Sequence, residues 1–381
     1  MIVSYKYKLY RSKKNKELHS LINHAGGVWN HALALQKRHY RRYEKYIDVN
    51  KMQKHFAKLR RKNLAWMLLN SQSVQEILQR QDKAYKKFFK KKQTRPPKFK
   101  KQKYFKSFLF KQTGYKLEGN KIIINSIKKT FKFSLSRAYG SPRNIRIYRD
   151  RLGDIYLYIV SDMPLEGIFK QRNNSKNTNK AVGLDFGLKQ YLTYSDKASP
   201  KQSPLFFKQS SKAIKKANRS FSRKQKNSNN RERAREHLCR VHKKVVNKRR
   251  DWQWKLAHEL CKQYEFIAIE DLNIKAMQRM WGRKISDLSH SSFVNILKHV
   301  AMKYGTIIHE IDRWYPSSKE CHCCRNIKKE LSLKDRTYIC ESCGYIENRD
   351  INAAKNIFRQ GVAEYESISK TGLAPLYALA S

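Results

Sequence analysis

The chain has 381 residues, with 84 Lys and Arg against 30 Asp and Glu, a net charge of +54 at pH 7. About one surplus positive charge per seven residues repels itself unless a polyanion neutralises it, which argues against a small-metabolite enzyme and points to nucleic acid. Its 22 Tyr, 17 Phe and 6 Trp exceed what a disordered polycation needs, and no apolar run approaches the roughly 20 residues of a membrane span.

The elements in chain order suggest two halves. Val3, Tyr5, Tyr7 and Leu9 alternate with polar residues, as in a half-buried strand. From residue 14 the period becomes helical, through Leu18, Leu21, Ile22, Ala25, Trp29, Ala32 and Leu33. Met52, Phe56 and Leu59 mark a second helix. Val74, Ile77, Leu78, Tyr85, Phe88 and Phe89 mark a third, which Arg95-Pro96-Pro97 ends. Strand patterns return at Ile122–Ile124, Phe131/Phe133/Leu135, Ile145/Ile147 and Ile155/Leu157/Ile159, with a turn at Leu152-Gly153-Asp154. The expectation is a β-barrel or sheet module, 1–13 and 98–169, with a helical bundle, 14–97, inserted after its first strand. Residues 170–180 are uniformly polar and are expected to be a linker.

The second half opens on Ala181–Gly187, a strand ending in a turn, with a return strand at Tyr191–Tyr194. Residues 207–262 form a helical hairpin broken near Asn227–Asn230. Phe266–Ile269 is a buried strand ending at Glu270. A helix near 291–303 leads into a strand at 305–311, and a final helix begins at Asp350. The start of the chain has no signal-peptide pattern. Seven clustered cysteines suit metal binding in a reducing, cytoplasmic setting.

Two blocks concentrate the charge. Residues 83–111 hold thirteen Lys/Arg, no acid and eight aromatics. Lysines neutralise phosphates and aromatic faces stack on unpaired bases, although the helical spacing of Phe88 and Phe89 favours core positions for those two. Residues 212–250 hold sixteen Lys/Arg against two Glu, too few acids to pair a wet helical face.

Cys321-x-x-Cys324 and Cys340-x-x-Cys343 form two knuckles separated by fifteen residues, a spacing that closes tetrahedrally on Zn²⁺. With four thiolate ligands the zinc would be structural. His322 and Cys323 are competing ligands that break the spacing. Cys239 and Cys261 fit the helical pattern as small buried residues. Among the scarce acids, Asp185 and Glu270 end apolar strands and Asp350 opens a helix. Singly these are a first exposed residue, another, and a cap. Together they form a carboxylate set that two Mg²⁺ ions could bridge for phosphodiester cleavage. Asp271, Glu310, Asp312 and Glu347 are nearby alternatives of lower rank.

Gly183-Leu184-Asp185-Phe186-Gly187-Leu188-Lys189, Ile269-Glu270-Asp271-Leu272-Asn273, Ser317-Ser318-Lys319-Glu320-Cys321 with its knuckles, and Asn348-Arg349-Asp350-Ile351-Asn352-Ala353-Ala354 resemble the signature blocks of TnpB proteins. Those are encoded by insertion sequences and related to compact type V CRISPR effectors. Tyr5–Tyr10, Gln75–Leu78 and Pro97–Lys100 also look like that family, and the resemblance spans about residues 1–357. It implies a multidomain α+β protein: a wedge-like barrel with a helical recognition insert, then a RuvC nuclease domain of RNase H-like fold (181–316 and 347–360). A zinc ribbon (317–346) interrupts that domain, and a tail of unassigned role (361–381) follows. It implies Asp185, Glu270 and Asp350 as catalytic Mg²⁺ ligands and Cys321, Cys324, Cys340 and Cys343 as zinc ligands. It further implies a guide RNA and cleavage of double-stranded target DNA beside a short transposon-adjacent motif, in the cytoplasm and on the nucleoid. Cys323 and Asn348 depart from the usual pattern without removing a ligand. Other readings of the same residues are a non-catalytic RNA-guided repressor and a strand-joining transposase.

Overall fold

A computed structural model describes residues 2–91, 95–162, 180–332 and 335–370. The chain divides into two units, Met1–Pro164 and Leu165–Ser381. Apart from Lys180, the expected linker lies outside the described residues, as does 371–381 of the tail. Among the described residues no helix is long and apolar enough to cross a membrane.

The first unit runs β1 (Ile2–Lys8), α1 (Asn15–Tyr43), α2 (Val49–Lys62), α3 (Leu64–Met67), α4 (Ser71–Phe89), then β2 (Ser107–Phe110), β3 (Tyr115–Glu118), β4 (Lys121–Ile124), β5 (Lys129–Lys132), β6 (Ser141–Arg149) and β7 (Ile155–Asp162). Asp48 and Asn70 cap α2 and α4, accepting from the second backbone N–H of each. The strands form an antiparallel four-stranded sheet, β1-β7-β6-β2, and a three-stranded sheet, β3-β4-β5. A single bridge, Leu9 to Phe133, joins them. One apolar cluster runs from the helices (Leu18, Ile22, Trp29, Phe56, Ile77) into both sheets (Phe108, Ile122, Ile147, Leu157). Gly153, at φ +79°, makes the β6–β7 turn where the sequence expects it. Leu135 departs from the expected pattern: β5 ends at Lys132, and Leu135 is exposed.

The second unit runs β8 (Ala181–Asp185), β9 (Gln190–Tyr194), β10 (Lys201–Gln202), α5 (Phe206–Gln209), α6 (Ser211–Arg223), α7 (Asn229–Gln263), β11 (Phe266–Glu270), α8 (Ile274–Leu288), α9 (His290–Tyr304), β12 (Ile307–Ile311), β13 (Thr337–Ile339), β14 (Ile346–Asn348) and α10 (Arg349–Lys370). Its main sheet is ordered β10-β9-β8-β11-β12, with β8, β11 and β12 parallel and β9 antiparallel to β8. Strand residues alternate between faces, and helices cover both. Val182, Leu184, Ile267 and Ile269 pack with Leu256 and Leu260 of α7 and Phe293 and Leu297 of α9. The other face carries α10. A Cβ added at Gly183 would meet the Ala354 carbonyl oxygen at 2.3 Å, and one added at Gly361 would meet the Ala268 Cβ at 2.5 Å. Glycine lets helix and sheet touch backbone to backbone at Gly183, and lets the helix backbone rest on the Ala268 methyl at Gly361.

Candidate active site

The register of β8 and β11 aligns the two strand-end acids. Ile269 lies opposite Leu184, so Glu270 and Asp185 are the next residues of adjacent parallel strands. They sit two positions beyond Ala268 and Gly183, both of which face α10. Their side chains therefore emerge on the α10 side. Asp350 lies in the first turn of that helix, four residues before Ala354. A helix-opening Asp is ordinarily a cap, but here Asn348 caps instead. Its Oδ1 accepts from the Asp350 and Ile351 amides at 2.9 and 3.3 Å. The Asp350 carboxylate is left to Arg336, 3.9 Å away.

Electrostatics tie the three together. Burial, then the nearby Asp350 and Glu270 charges, push Asp185 up to about 7. Burial also raises Glu270 to about 7, opposed by a hydrogen bond from Ser317, whose Oγ donates to Glu270 Oε2 at 3.4 Å. The lower-ranked acids are engaged elsewhere. Asp271 pairs with Arg313, Glu310 with Lys298, and Glu347 with Lys355 at 3.0 Å; Asp312 accepts from the Trp314 amide at 2.7 Å.

Cys321, Cys324, Cys340 and Cys343 bring their sulfurs within 4.8 Å of one another, the one such set of possible metal ligands among the described residues. The three carboxylates do not close to that spacing. Sulfur pairs lie at 3.7 Å (Cys321–Cys343) and 3.5 Å (Cys324–Cys340). A tetrahedron of about 2.3 Å metal–sulfur bonds requires about 3.8 Å, so the thiols are spaced to hold a metal ion. Both knuckles share one backbone design. The first cysteine's carbonyl accepts from the residue four on (Arg325, Gly344), and its amide donates to the carbonyl five on (Asn326, Tyr345). Arg325 and Gly344 both adopt positive φ, +66° and +72°. Amides of Cys343 and Ser342 directed at the Cys340 sulfur lower its thiol pKa. Cys323 is exposed and outside the set, while Cys261 is buried and pushed up to about 12.

Sequence reasoning assigns no role to a polar face of α10 that grips the first knuckle. Asn352 Nδ2 donates to the Glu320 carbonyl at 2.8 Å, and its Oδ1 accepts from the His322 amide at 3.0 Å. Asn356 Nδ2 donates to the Ser317 and Glu320 carbonyls at 2.9 and 2.7 Å. Arg359 donates to the His322 carbonyl at 2.8 Å and to the Glu320 carboxylate at 2.6 Å. The signal present in the sequence is the spacing of 352, 356 and 359, one stripe of a helix.

The basic blocks differ. In 83–111, Phe105, Phe108 and Phe110 are buried core residues and not stacking surfaces. Phe89, expected in the core, is 53% exposed against Tyr46 and Tyr85, because α4 ends there. Phe99 and Tyr104 are half-exposed, with Lys37 and Lys103 ammonium groups 4.9 and 5.2 Å from their rings. In 212–250, Lys212, Lys215, Lys216, Arg219, Arg223 and Lys224 line an open groove of about 650 Å³ on α6. Both glutamates of the block are taken by neighbours on α7, Glu232 by Arg235 and Glu236 by Arg240.

A family model described as "Probable transposase" matches residues 161–280, and one described as "Cas12f1-like, TNB domain" matches 290–357. A Streptomyces pristinaespiralis protein named "Putative RNA-guided DNA endonuclease" is 27% identical over 77% of this chain and 72% of its own length. The "TnpB-like protein L79" of Acanthamoeba polyphaga mimivirus is 31% identical over 54% of this chain, which spans only 41% of that protein. The solved structure of "the mini-RNA-guided endonuclease CRISPR-Cas_phi3" shares the fold, with a TM-score of 0.51, 10% identity and coverage of 95% and 92% of the two chains. With the four sequence blocks falling on the strand ends, the knuckles and the start of α10, the chain is a member of the TnpB family.

Proposed function

We propose that the chain is an RNA-guided DNA endonuclease of an insertion sequence, with Asp185, Glu270 and Asp350 as the catalytic carboxylates of a RuvC-like, RNase H-type domain. The supporting observation is the pairing of two half-buried acids at the ends of adjacent parallel strands, facing a third whose capping duty Asn348 has taken over. Ligand sites in open parallel sheets lie outside such strand ends. Asp185, whose charged form is disfavoured by burial and by the Asp350 and Glu270 charges, and Glu270, whose charged form is disfavoured by burial, supply with Asp350 a hard-oxygen donor set suited to Mg²⁺. Two such ions, when bound, supply Lewis acidity at the phosphodiester and a more acidic water. The protein's part is to fix Asp185 and Glu270 by strand register and to hold Asp350 on a helix pressed against the sheet. The names of the relatives agree with this chemistry.

In this reading the thiol set holds a structural Zn²⁺, all four positions being sulfur. The wedge-like first unit and the α6 groove hold guide RNA and target DNA through their phosphates, while base pairing reads the sequence beside a short adjacent motif. The protein acts in the cytoplasm, on the nucleoid when DNA-bound. The test is Asp185→Ala. Purified protein with its copurifying RNA should cut matched DNA in Mg²⁺ and the variant should not; equal cutting would refute the assignment. The transposase description of one matching family favours strand joining as a second reading. A strand-transfer assay with element ends separates the two, since an endonuclease yields cut ends and no joined product.

A further inference from the structure

The carboxylate site and the thiol cluster are joined by five residues of chain. Ser317 lies at one end, its hydroxyl on Glu270, and Cys321 at the other, its sulfur in the metal-binding set. Ser317 is buried, and its hydroxyl donates to Glu270 Oε2, leaving Oε1 outside that hydrogen bond. A donor on one oxygen of a ligating carboxylate fixes which oxygen faces a metal and at what angle.

The intervening chain has little freedom. The Ser317 amide donates to the Tyr315 carbonyl at 2.8 Å, and the Lys319 and Glu320 amides turn back to the Pro316 carbonyl at 2.9 and 3.0 Å. Asn356, itself fully buried, bridges the Ser317 and Glu320 carbonyls with one amide nitrogen. Asn352 and Arg359 then hold Glu320 and His322, the residues on either side of Cys321. The segment is therefore clamped along its length to α10, the helix that carries Asp350. A shift of the knuckle must move Ser317 or break these bonds.

We infer that Ser317 is a positioning residue for Glu270, and that through it the metal held by the four cysteines governs divalent-ion binding at the carboxylates. The inference rests on the carboxylate reading proposed above. It predicts a dependence between two metal sites that a merely structural ribbon would not create.

The experiment measures Mn²⁺ binding to the zinc-loaded full chain by electron paramagnetic resonance of the free ion. Ser317→Ala should weaken Mn²⁺ on the order of tenfold with an unchanged melting temperature, and Ser317→Thr, which keeps the hydroxyl, should restore it. Cys324→Ser should also weaken Mn²⁺, and combining it with Ser317→Ala should add nothing further, because both changes break one connection. Undiminished Mn²⁺ affinity in Ser317→Ala, or fully additive losses in the double variant, would overturn the inference. Asp185→Asn is the reference. If it binds Mn²⁺ as the wild type does, the carboxylate reading fails and this inference with it. If it loses Mn²⁺ while Ser317→Ala does not, only this inference fails.

Discussion

Gly183 and Ala354 meet backbone to backbone: no side chain, not even a methyl group, fits between strand β8 and helix α10 at this point. The same contact sets how far Asp350 stands from Asp185, since each acid lies within one turn or two strand residues of it. Gly183→Ala should therefore cost stability by overpacking, about 1–3 kcal/mol, and should lower Mn²⁺ affinity as α10 is pushed off. Urea unfolding and Mn²⁺ titration check both. A variant with normal stability would show that the helix can retreat freely.

Removing a charge from the carboxylate set should have opposite effects with and without divalent ions. Asp185 is half-buried and desolvated beside two other acids, so Asp185→Asn should raise the melting temperature at pH 8 in chelator by relieving desolvation and repulsion, on the order of 1 kcal/mol. In Mg²⁺ the wild type should gain stability by mass action and the variant should not. Thermal melts under the two conditions give the comparison. A lower melting temperature for the variant in chelator would contradict the burial argument.

His290 should make the second unit acid-sensitive. It opens α9 beneath Phe186 and Tyr191, with ring centroids at 5.0 and 4.9 Å, and neither ring nitrogen has a hydrogen-bond partner among the described residues. Burial lowers its pKa to about 4. An unfolded histidine titrates near 6.5, so below that pH the unfolded state takes up the proton first. The stabilising contribution is complete above about 6.5 and is lost as pH falls to about 4. The full loss is about 3 kcal/mol. His290→Phe should flatten the stability curve between these values. An unchanged curve would mean that the ring is hydrated in the folded protein.

The adjacent cysteines Cys323 and Cys324 should behave differently. Cys324→Ser removes one of the four clustered sulfurs, whereas Cys323→Ser alters an exposed residue outside the set. Elemental analysis should find one zinc per chain in the wild type and in Cys323→Ser, and markedly less in Cys324→Ser. Because Tyr338 and two cysteines form almost the whole core of the ribbon, metal loss should also speed tryptic cleavage at the half-buried Lys319 and Lys328. Equal zinc in both variants would discredit the ligand set.

How far the fold was legible depended on how locally each residue is determined. Val3, Tyr7 and Leu9, or Leu18, Leu21 and Ile22, are buried at the period of their own element, so the pattern carries the answer. Strand β2 was not legible. Ser107–Phe110 follows a lysine-rich run whose charge suggests a binding surface, yet Phe108 and Phe110 fill the first unit's core. Helix α8 and the two-residue β10 gave no periodic signal strong enough to be expected. Adjacency of Asp185 and Glu270 was foreshadowed because β8 and β11 are short apolar strands, each ending in an acid. The roles of Ser317, Asn356 and Arg359 were not. A buried polar side chain that grips a distant carbonyl leaves no periodic trace, and its partner is chosen by tertiary packing alone.

Helix α10 also bears on when the protein becomes competent during its synthesis. Asp185 and Glu270 are translated early, but Asp350 follows Asp185 by 350 − 185 = 165 residues, and the Gly361 contact comes later still. At ribosomal rates of about 5–20 residues per second, the nascent chain carries Asp185 for roughly ten seconds or more, and both Asp185 and Glu270 for about 4–16 seconds, before Asp350 is added. The knuckles emerge before α10 does, so the helix arrives to find its clamp partners already made. A chain stalled or cleaved before residue 350 therefore lacks both Asp350 and the helix that packs against Gly183 and Ala268.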